Sequence, residues 1–438
     1  MSKKLFLLMS LLMTAVFLFT ACSGKVESPA QEPVQEAAAE QQAATEASAE
    51  STDATSAPAD AATSEPQDHP ADEWGDLVFA PGTDVKLGLS SALTAGYAAY
   101  GQDMLHGVEL AVEQFGDLMG WKVVVEAGDD GCEGAPGVTV AEKFATDTTL
   151  LGVVGPMCSG TVVAAEKVYG ENHIVMITPS STAVIVTDMG YESVFRTVAN
   201  DDLQAQVTVD FLTQDLGLTT LAVVHDQSVY GEGIGQAVKD KFEAAGGTVT
   251  AFEGLTRGDV DFSGVIGVLT ADDPQAIYFG GMDAEGALLI TQLRAAQFEG
   301  VFMGPDGIKS VPSYIEASGG AAEGSYSTFG AVGGATGYEE FETAFTAKYG
   351  APVAYGPGSF DSARILLQAA AAVAYVDADG NLVIGKKALA DQIRNAPFDG
   401  VTGHLEFTET GDLGKVSITI FQAQSGDFVP VKTVDFGE

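Results

Sequence analysis

The sequence predicts an α/β protein with two similar lobes, each built on a parallel sheet. Short aliphatic runs, such as residues 150–154, alternate with stretches whose apolar residues recur at helical spacing, such as residues 233–245. Runs that are apolar on both faces are typical of strands buried between helices. The alternation ends near Phe195 and then starts again, and the chain of 438 residues is long enough for two domains. Two successive βα series therefore favour two lobes over one long sheet.

The first series runs from about residue 85 to residue 177. Its strands and helices follow one another as expected for βαβ units. The predicted strands are 85–89, 121–126, 150–154 and 173–177, and the predicted helices are 107–115, 138–146 and 161–169.

The second series begins after Phe195-Arg196-Thr197 and repeats the pattern. Its predicted helices are 205–212, 233–245, 262–269 and 284–296, and its predicted strands are 220–224, 248–252, 276–279 and 301–303. Later in the chain we expect a glycine-rich connection at 330–337 and helices at 339–349, 359–375 and 389–395. Residues 404–407 and 416–423 alternate like an antiparallel hairpin with a turn at Gly411-Asp412.

The N-terminus has the pattern of an export signal. Two lysines precede an apolar run at 5–19, which ends in small residues before Cys22. The Ala21-Cys22 junction resembles the lipobox of bacterial lipoproteins, although Phe19 stands where leucine is preferred. We expect a signal peptide at 1–21 and a lipidated Cys22 that anchors the chain to the membrane. Ordinary secretion with removal of Cys22 is the alternative.

Composition then indicates an acidic tether from residue 22 to residue 83. This segment is rich in Ala, Glu, Gln, Ser, Thr and Pro and cannot bury enough apolar surface to fold. The whole chain carries a formal charge of −41. A negative field of this size repels nucleic acid, so no nucleic-acid partner is expected.

The chain contains three cysteines, and export decides how two of them are used. An exported protein meets an oxidising environment, where Cys132 and Cys158 remain once Cys22 carries lipid. We predict that they form one disulfide. A nucleophilic Cys158 is the alternative, but no matching histidine motif accompanies it.

Two stretches that directly follow predicted strands favour a small-ligand site. CSGT at 158–161 and TPSST at 178–182 place hydroxyls and free N–H groups at strand ends, where α/β proteins bind ligands. Helix capping is the alternative reading of both. Phosphate-loop, Gly-x-Ser-x-Gly and His-Glu-x-x-His motifs are absent from the sequence, and no cofactor or metal is expected.

Several longer segments, taken together, resemble one family. They include LTAGYAAYGQDMLHGVELAVEQF (93–115), GDDGCEG (128–134), VVGPMCSGTVVAA (153–165), IVMITPSSTA (174–183), VVHDQSVYGEGIG (223–235) and FMGPDG (302–307). Order and spacing resemble the substrate-binding proteins of branched-chain amino-acid ABC transporters, which have the type I periplasmic-binding-protein fold. The resemblance implies two lobes joined by three crossovers, and in that family the two cysteines form a disulfide. It places lobe 1 at 84–198 and 329–402, and lobe 2 at 199–328 and 403–438.

The resemblance also implies a set of ligand contacts. Ser159 is expected to bind the ligand's α-carboxylate, Thr182 to bind through its hydroxyl and N–H, and the carbonyl of Ser180 to face the ammonium. Asp306 stands where the family commonly has a glutamate counter-ion. The remaining expected cleft residues are Tyr230, Tyr100 and Met282, the last at a position where an aromatic is usual.

For three of these residues, a structural role is the alternative to a ligand contact. Asp306 fits a Pro-Asp-Gly turn, Met282 fits a core position, and Tyr100 fits lobe packing. The sequence nevertheless favours a monomeric, lipid-anchored binding protein that delivers an amino acid, branched-chain or a related small zwitterion, to an ABC permease and ATPase. A ligand-sensing receptor of the same fold and an extracellular α/β hydrolase are the alternatives.

Overall fold

The structure is a computed structural model that describes residues 70–330 and 335–437. These residues all belong to one compact unit of the chain. The predicted signal peptide, Cys22, most of the predicted tether and part of the glycine-rich connection at 330–337 lie outside the described residues. Within the described ranges, no helix is both long and apolar enough to cross a bilayer.

The described chain contains 17 strands and 11 α-helices. The strands are β1 (Asp76–Phe79), β2 (Val85–Ser91), β3 (Val123–Asp129), β4 (Leu150–Val154), β5 (Met176–Thr178), β6 (Val194–Arg196), β7 (Thr220–His225), β8 (Thr248–Gly254), β9 (Ala276–Gly280), β10 (Val301–Gly304), β11 (Tyr326–Gly330), β12 (Tyr375–Val376), β13 (Leu382–Gly385), β14 (Phe398–Gly400), β15 (Gly403–Leu405), β16 (Val416–Gln424) and β17 (Asp427–Phe436). The helices are α1 (Ala98–Phe115), α2 (Gly134–Ala145), α3 (Ser159–Glu171), α4 (Ile185–Asp188), α5 (Asp201–Asp210), α6 (Val229–Ala244), α7 (Ser263–Leu269), α8 (Asp283–Ala295), α9 (Tyr338–Tyr349), α10 (Gly356–Val373) and α11 (Lys386–Asn395).

Two sheets form the centres of the molecule. The first sheet has the order β3-β2-β4-β5-β6, and all of its pairs are parallel. The second has the order β17-β16-β11-β10-β9-β7-β8, parallel from β8 to β11 and antiparallel at β16 and β17. We call each sheet with the helices packed on it the first lobe and the second lobe. The α/β prediction is confirmed.

The chain passes between the lobes three times. It leaves the first sheet after β6, returns from the second sheet after β11, and enters the second sheet again at β16. Between the last two passages, α10 packs on α1, β4 and β5 of the first lobe. The central strand β4 is buried along its whole length because helices cover both faces of its sheet.

Secondary structure in the described residues begins within the predicted tether. The predicted tether extended to residue 83, but β1 pairs antiparallel with β13, from Asp76 with Gly385 to Phe79 with Leu382. Phe79 is fully buried in the core. The aliphatic content of DLVF was too short a signal to separate this strand from the polar segment that precedes it.

The two strands of the predicted C-terminal hairpin do not pair with each other, although Phe407 and Leu413 form an antiparallel bridge around the predicted turn at Gly411-Asp412. β16 pairs with β17 through a turn at Ser425-Gly426, where both residues have positive φ, as two-residue hairpin turns require. The segment 403–405 pairs instead with 398–400. Gly411 serves a distant contact: its carbonyl accepts from the Arg196 N–H at 2.9 Å, and a Cβ there would lie 2.1 Å from the Val194 carbonyl oxygen. The Gly-Asp pair therefore marks a close approach to β6.

The predicted disulfide joins Cys132 to Cys158, with Cα atoms 5.3 Å apart, so the nucleophile alternative is wrong. It links the loop before α2 to the residue before α3 across a separation of 26 residues.

Replacing both cysteines with serine is expected to lower the free energy of unfolding by about 2–4 kcal/mol, because the unfolded chain gains loop entropy. Urea denaturation measures this loss, and reducing the unmodified protein should reproduce it. Equal midpoints for oxidised and reduced protein would contradict the expectation.

A second stability prediction concerns Glu166 on α3. Its side chain is fully buried, and neither carboxylate oxygen has a hydrogen-bond partner in the described part of the chain. Burial raises the pKa of Glu166 from 4.5 to about 8, and the charge of Arg196 opposes this shift. Because the folded-state pKa is the higher one, the proton's contribution to stability is complete below pH 4.5 and is lost as the pH rises through 8.

Glu166→Gln removes the charge at nearly constant shape. We expect it to raise the free energy of unfolding by about 1–3 kcal/mol at about pH 9 and to change it little at about pH 4.5. Urea denaturation at several pH values measures the difference. Glu171→Gln, at an exposed position of the same helix, is the matched control and should show no such dependence. A difference for Glu166→Gln that is the same at every pH would refute the assignment.

Candidate functional site

The first wall of the candidate site is the turn that connects β4 to α3. Gly155 starts the turn with φ 93°, and a Cβ at this residue would lie 2.1 Å from the Ser90 carbonyl oxygen. Cys158 is extended, and α3 begins at Ser159. Within the described ranges, the N–H groups of Ser159 and Gly160 have no hydrogen-bond acceptor. The positive end of α3 therefore presents two free donors.

The hydroxyl of Ser159 adds a third donor at this helix end. Its oxygen accepts a hydrogen bond from the Ala183 N–H at 3.2 Å, which leaves the hydroxyl hydrogen available. Ser159 is buried, with 3% of its surface exposed. Such a set of donors is suited to an anion such as a carboxylate.

The loop after β5 packs against this turn. The Ser180 hydroxyl donates to the Met157 carbonyl at 2.9 Å, and the Ser181 hydroxyl donates to the Pro156 carbonyl at 3.0 Å. These hydroxyls join the two loops. Thr182 is fully buried, and its hydroxyl has no hydrogen-bond partner in the described ranges. Its carbonyl accepts from the Asp201 N–H at 2.9 Å.

The second lobe contributes a buried carboxylate at the end of β10. Asp306 Oδ1 accepts hydrogen bonds from Gln204 Nε2 at 2.9 Å and from the Tyr230 hydroxyl at 2.7 Å, and Oδ2 accepts from the Tyr355 hydroxyl at 2.9 Å. Burial raises the pKa of Asp306, and these hydrogen bonds oppose the shift. Oδ2 accepts one hydrogen bond from the described residues and so retains a lone pair for another donor.

Two tyrosines from the first lobe reach the second lobe. Tyr355 directly precedes α10 and donates to Asp306, while Tyr100 of α1 donates to Asp283 Oδ2 at 2.8 Å. Their rings lie 5.5 Å apart. Both hydrogen bonds hold the lobes together, because each joins a side chain of one lobe to a carboxylate of the other.

A cavity of about 50 Å³ lies between these walls. Five of the predicted ligand contacts line it. They are Ser159, Ser180, Tyr230, Met282 and Asp306. Tyr100 and Thr182 are not among its lining residues. Ligand pockets commonly measure roughly 300–1,000 Å³, so a ligand of amino-acid size needs the walls of this cavity to lie farther apart than they do here.

The structure also adds contacts that the sequence analysis did not predict. Tyr355 and Gln204 bind Asp306, and Asp226, Ser228 and Arg257 line the cavity. Asp226 follows β7 directly, so the rule that sites form at the carboxyl ends of parallel strands pointed to it. Ser228 lies two residues further on in the same loop, and Arg257 lies three residues after β8, so the same rule points to both. Gln204 and Tyr355 carry no comparable local signal, because they reach the site from α5 and from the residue before α10.

Comparison with known proteins assigns the family. The sequence model of the periplasmic binding protein family matches residues 84–427. The chain belongs to this family. This periplasmic binding protein is 34% identical over 351 residues to the leucine-, isoleucine-, valine-, threonine- and alanine-binding protein of Pseudomonas aeruginosa, covering 77% of this chain and 89% of that protein. It is 31% identical to Leu/Ile/Val-binding protein homolog 3 of Brucella melitensis, covering 79% and 93% of the two chains.

Solved structures agree with this assignment. The leucine-binding protein of Thermotoga maritima superimposes with a TM-score of 0.74 at 26% identity, covering 80% of this chain and 98% of that one. A branched-chain amino-acid transporter substrate-binding protein from Streptococcus pneumoniae, in complex with isoleucine, superimposes with a TM-score of 0.71 at 22% identity, covering 80% and 99%. The two-lobed fold of this periplasmic binding protein is therefore the type I fold predicted from the sequence.

Proposed function

We propose that the chain is an extracytoplasmic solute-binding protein that delivers an amino acid to an ABC importer. The proposal rests on one observation: hydrogen-bond donors and a carboxylate face each other across one cavity. Free N–H groups at the start of α3 lie on one wall, and the Asp306 carboxylate lies on the other. An α-amino acid carries the complementary carboxylate and ammonium on a single carbon.

The ligand contacts follow from this opposition. The Ser159 hydroxyl and the N–H groups of Ser159 and Gly160 bind the carboxylate. Asp306 Oδ2 and the Ser180 carbonyl bind the ammonium, and Tyr230 and Met282 enclose the rest. Thr182 and Tyr100 do not line the cavity and support the residues that do. Thr182 has a free hydroxyl, and Tyr100 donates a hydrogen bond to Asp283.

Cleft closure supplies the mechanism of capture. A ligand held by Ser159 in the first lobe and by Asp306 in the second makes all of its contacts only when the lobes are together, so it shifts the population toward the closed form. We take the moving lobes as 84–198 with 329–402 and 199–328 with 403–438, except that β1 moves with the first lobe and the whole of β11 with the second. The closed form, anchored to the membrane through lipid on Cys22, docks on the permease as a monomer.

No catalytic role is proposed for the cavity. The two cysteines that line it, Cys132 and Cys158, are joined to each other, and no histidine is among its described lining residues. The relative that binds leucine, isoleucine, valine, threonine and alanine supports an amino-acid ligand.

Calorimetric titration with the common L-amino acids tests the proposal. We expect at least one to bind with micromolar or tighter affinity. Its 2-hydroxy-acid analogue, which lacks the ammonium, and its decarboxylated amine should each bind at least a hundredfold more weakly. If no amino acid binds, or if both analogues bind as well as the parent, the proposal fails.

A further inference from the structure

Arg257 is a cationic side chain on the wall of the cavity that none of the proposed ligand contacts uses. It lies in the loop between β8 and α7 and is half-buried. Its Nε donates to the hydroxyl of Tyr97 at 3.2 Å, and its guanidinium carbon lies 5.1 Å from the centre of the Tyr97 ring. Tyr97 precedes α1 in the first lobe, so this contact crosses the cleft and fixes the guanidinium at its edge.

The terminal nitrogens of Arg257 have no protein partner in the described part of the chain. Among the described residues, no carboxylate lies within 4.0 Å of them, and Nε makes the only side-chain hydrogen bond of this arginine. A guanidinium carries five N–H donors, of which four are therefore free. Such a group in a ligand cavity is suited to a planar oxygen acceptor.

Asp226, on the same cavity wall, has a free acceptor. It is 2% exposed, and its Oδ1 accepts from the N–H and the hydroxyl of Ser228 at 2.9 and 2.6 Å. Its Oδ2 is buried and has no hydrogen-bond partner within the described ranges. A buried carboxylate oxygen without a donor is unfavourable, so an N–H group that a ligand brought to this oxygen would be stabilised there.

We propose that Arg257 and Asp226 select an amino acid whose side chain ends in a carboxamide. The inference rests on the proposed function, since the ligand's α-carboxylate and ammonium still bind Ser159 and Asp306. The side-chain carbonyl oxygen accepts from Arg257, and the side-chain NH₂ donates to Asp226 Oδ2. Asparagine and glutamine are the common amino acids with this group.

Other side chains fit these two residues less well. An aliphatic side chain leaves both the guanidinium and Asp226 Oδ2 desolvated without partners, and sites built for hydrogen bonds reject ligands that lack them. A side-chain carboxylate satisfies Arg257 but places an anion against Asp226 Oδ2. A carboxamide has one acceptor and one donor on a single planar group, and it satisfies both residues.

Calorimetry with asparagine, glutamine, aspartate, glutamate, leucine and valine tests the inference. We expect asparagine or glutamine to bind at least tenfold more tightly than the other four. Arg257→Met should lower carboxamide affinity at least tenfold and should not lower aliphatic affinity, because it removes a guanidinium that an aliphatic ligand leaves without a partner. Lys241→Met, which removes one cation of the same lobe away from the cavity, is the matched control and should change neither.

Asp226→Asn tests for direct contact with the ligand, because a purely structural role of Asp226 would not change which ligand is preferred. The asparagine retains an oxygen for Ser228 and presents NH₂ where Oδ2 was, so preference should shift at least tenfold from glutamine toward glutamate. Thermal unfolding confirms that each variant is folded. Aliphatic binding tighter than carboxamide binding, with no change in Arg257→Met, overturns this inference and leaves the proposed function intact. Absence of binding by every amino acid overturns the proposed function itself.

Discussion

Asp306→Asn is expected to weaken amino-acid binding by a hundredfold to a thousandfold, about 3–4 kcal/mol. The substitution removes the negative charge opposite the ligand's ammonium and leaves the shape of the side chain nearly unchanged. The carboxylate is buried in a cavity from which the closed lobes exclude most water, so its attraction for an ammonium is screened only weakly.

The fold should tolerate this change. An asparagine at 306 still offers one oxygen to Gln204 and Tyr230, and its NH₂ group can donate to the hydroxyl oxygen of Tyr355. Calorimetry measures the affinity, and urea denaturation measures the fold. Asp272→Asn, on the exposed surface of the same lobe, is the matched control. Affinity within threefold of the unmodified protein would remove Asp306 from the binding site.

Arg196→Met is expected to lower the free energy of unfolding by about 3–5 kcal/mol, the largest stability loss we predict. Arg196 is fully buried at the end of β6. Its Nε donates to Asp412 Oδ1 at 2.8 Å, and Nη1 donates to the carbonyls of Ala183 at 2.7 Å and Ser181 at 3.3 Å. Methionine fills similar space but leaves the carboxylate and both carbonyls without these donors.

Arg196→Met should also weaken ligand binding, because Arg196 holds the loop that carries Ser180 and Thr182. Arg196→Lys keeps the charge without the planar fork and should lose less stability. Lys167→Met, at an exposed position of the first lobe, should change the free energy of unfolding by less than about 0.5 kcal/mol. A loss of under about 1 kcal/mol for Arg196→Met would contradict this explanation of how the loop is held.

The sequence predicted the fold well where helices and strands are long and regular. Strand 150–154 agrees at both ends with β4, because its five residues include four aliphatic side chains and glycine follows. Short elements with weak patterns were missed, among them β1 and β6. The C-terminal hairpin was misplaced because Gly411-Asp412 has the local signature of a turn. The two residues do lie in a turn, which also contacts Val194 and Arg196 far away along the chain, but β16 beyond it pairs with β17.

The site was predictable only where its residues follow strands. Ser159, Ser180 and Asp306 come soon after strands, and the structure brings them to one cavity. Tyr355 and Gln204 reach the same region from the residue before α10 and from α5, where spacing along the chain carries no information, whereas Arg257 lies three residues after β8 and was missed although it follows a strand. Tyr355, for example, meets Asp306 across 49 residues and from the opposite lobe. Such contacts depend on how the two lobes meet, which local patterns do not encode.

The crystal structure of the complex with the tightest-binding amino acid tests the central claim most directly. We predict one ligand between the lobes, with its carboxylate within hydrogen-bond distance of the Ser159 and Gly160 N–H groups and its ammonium within hydrogen-bond distance of Asp306. A ligand bound outside this cavity, or one whose charged groups contact neither Ser159 nor Asp306, would contradict the proposed mode of binding.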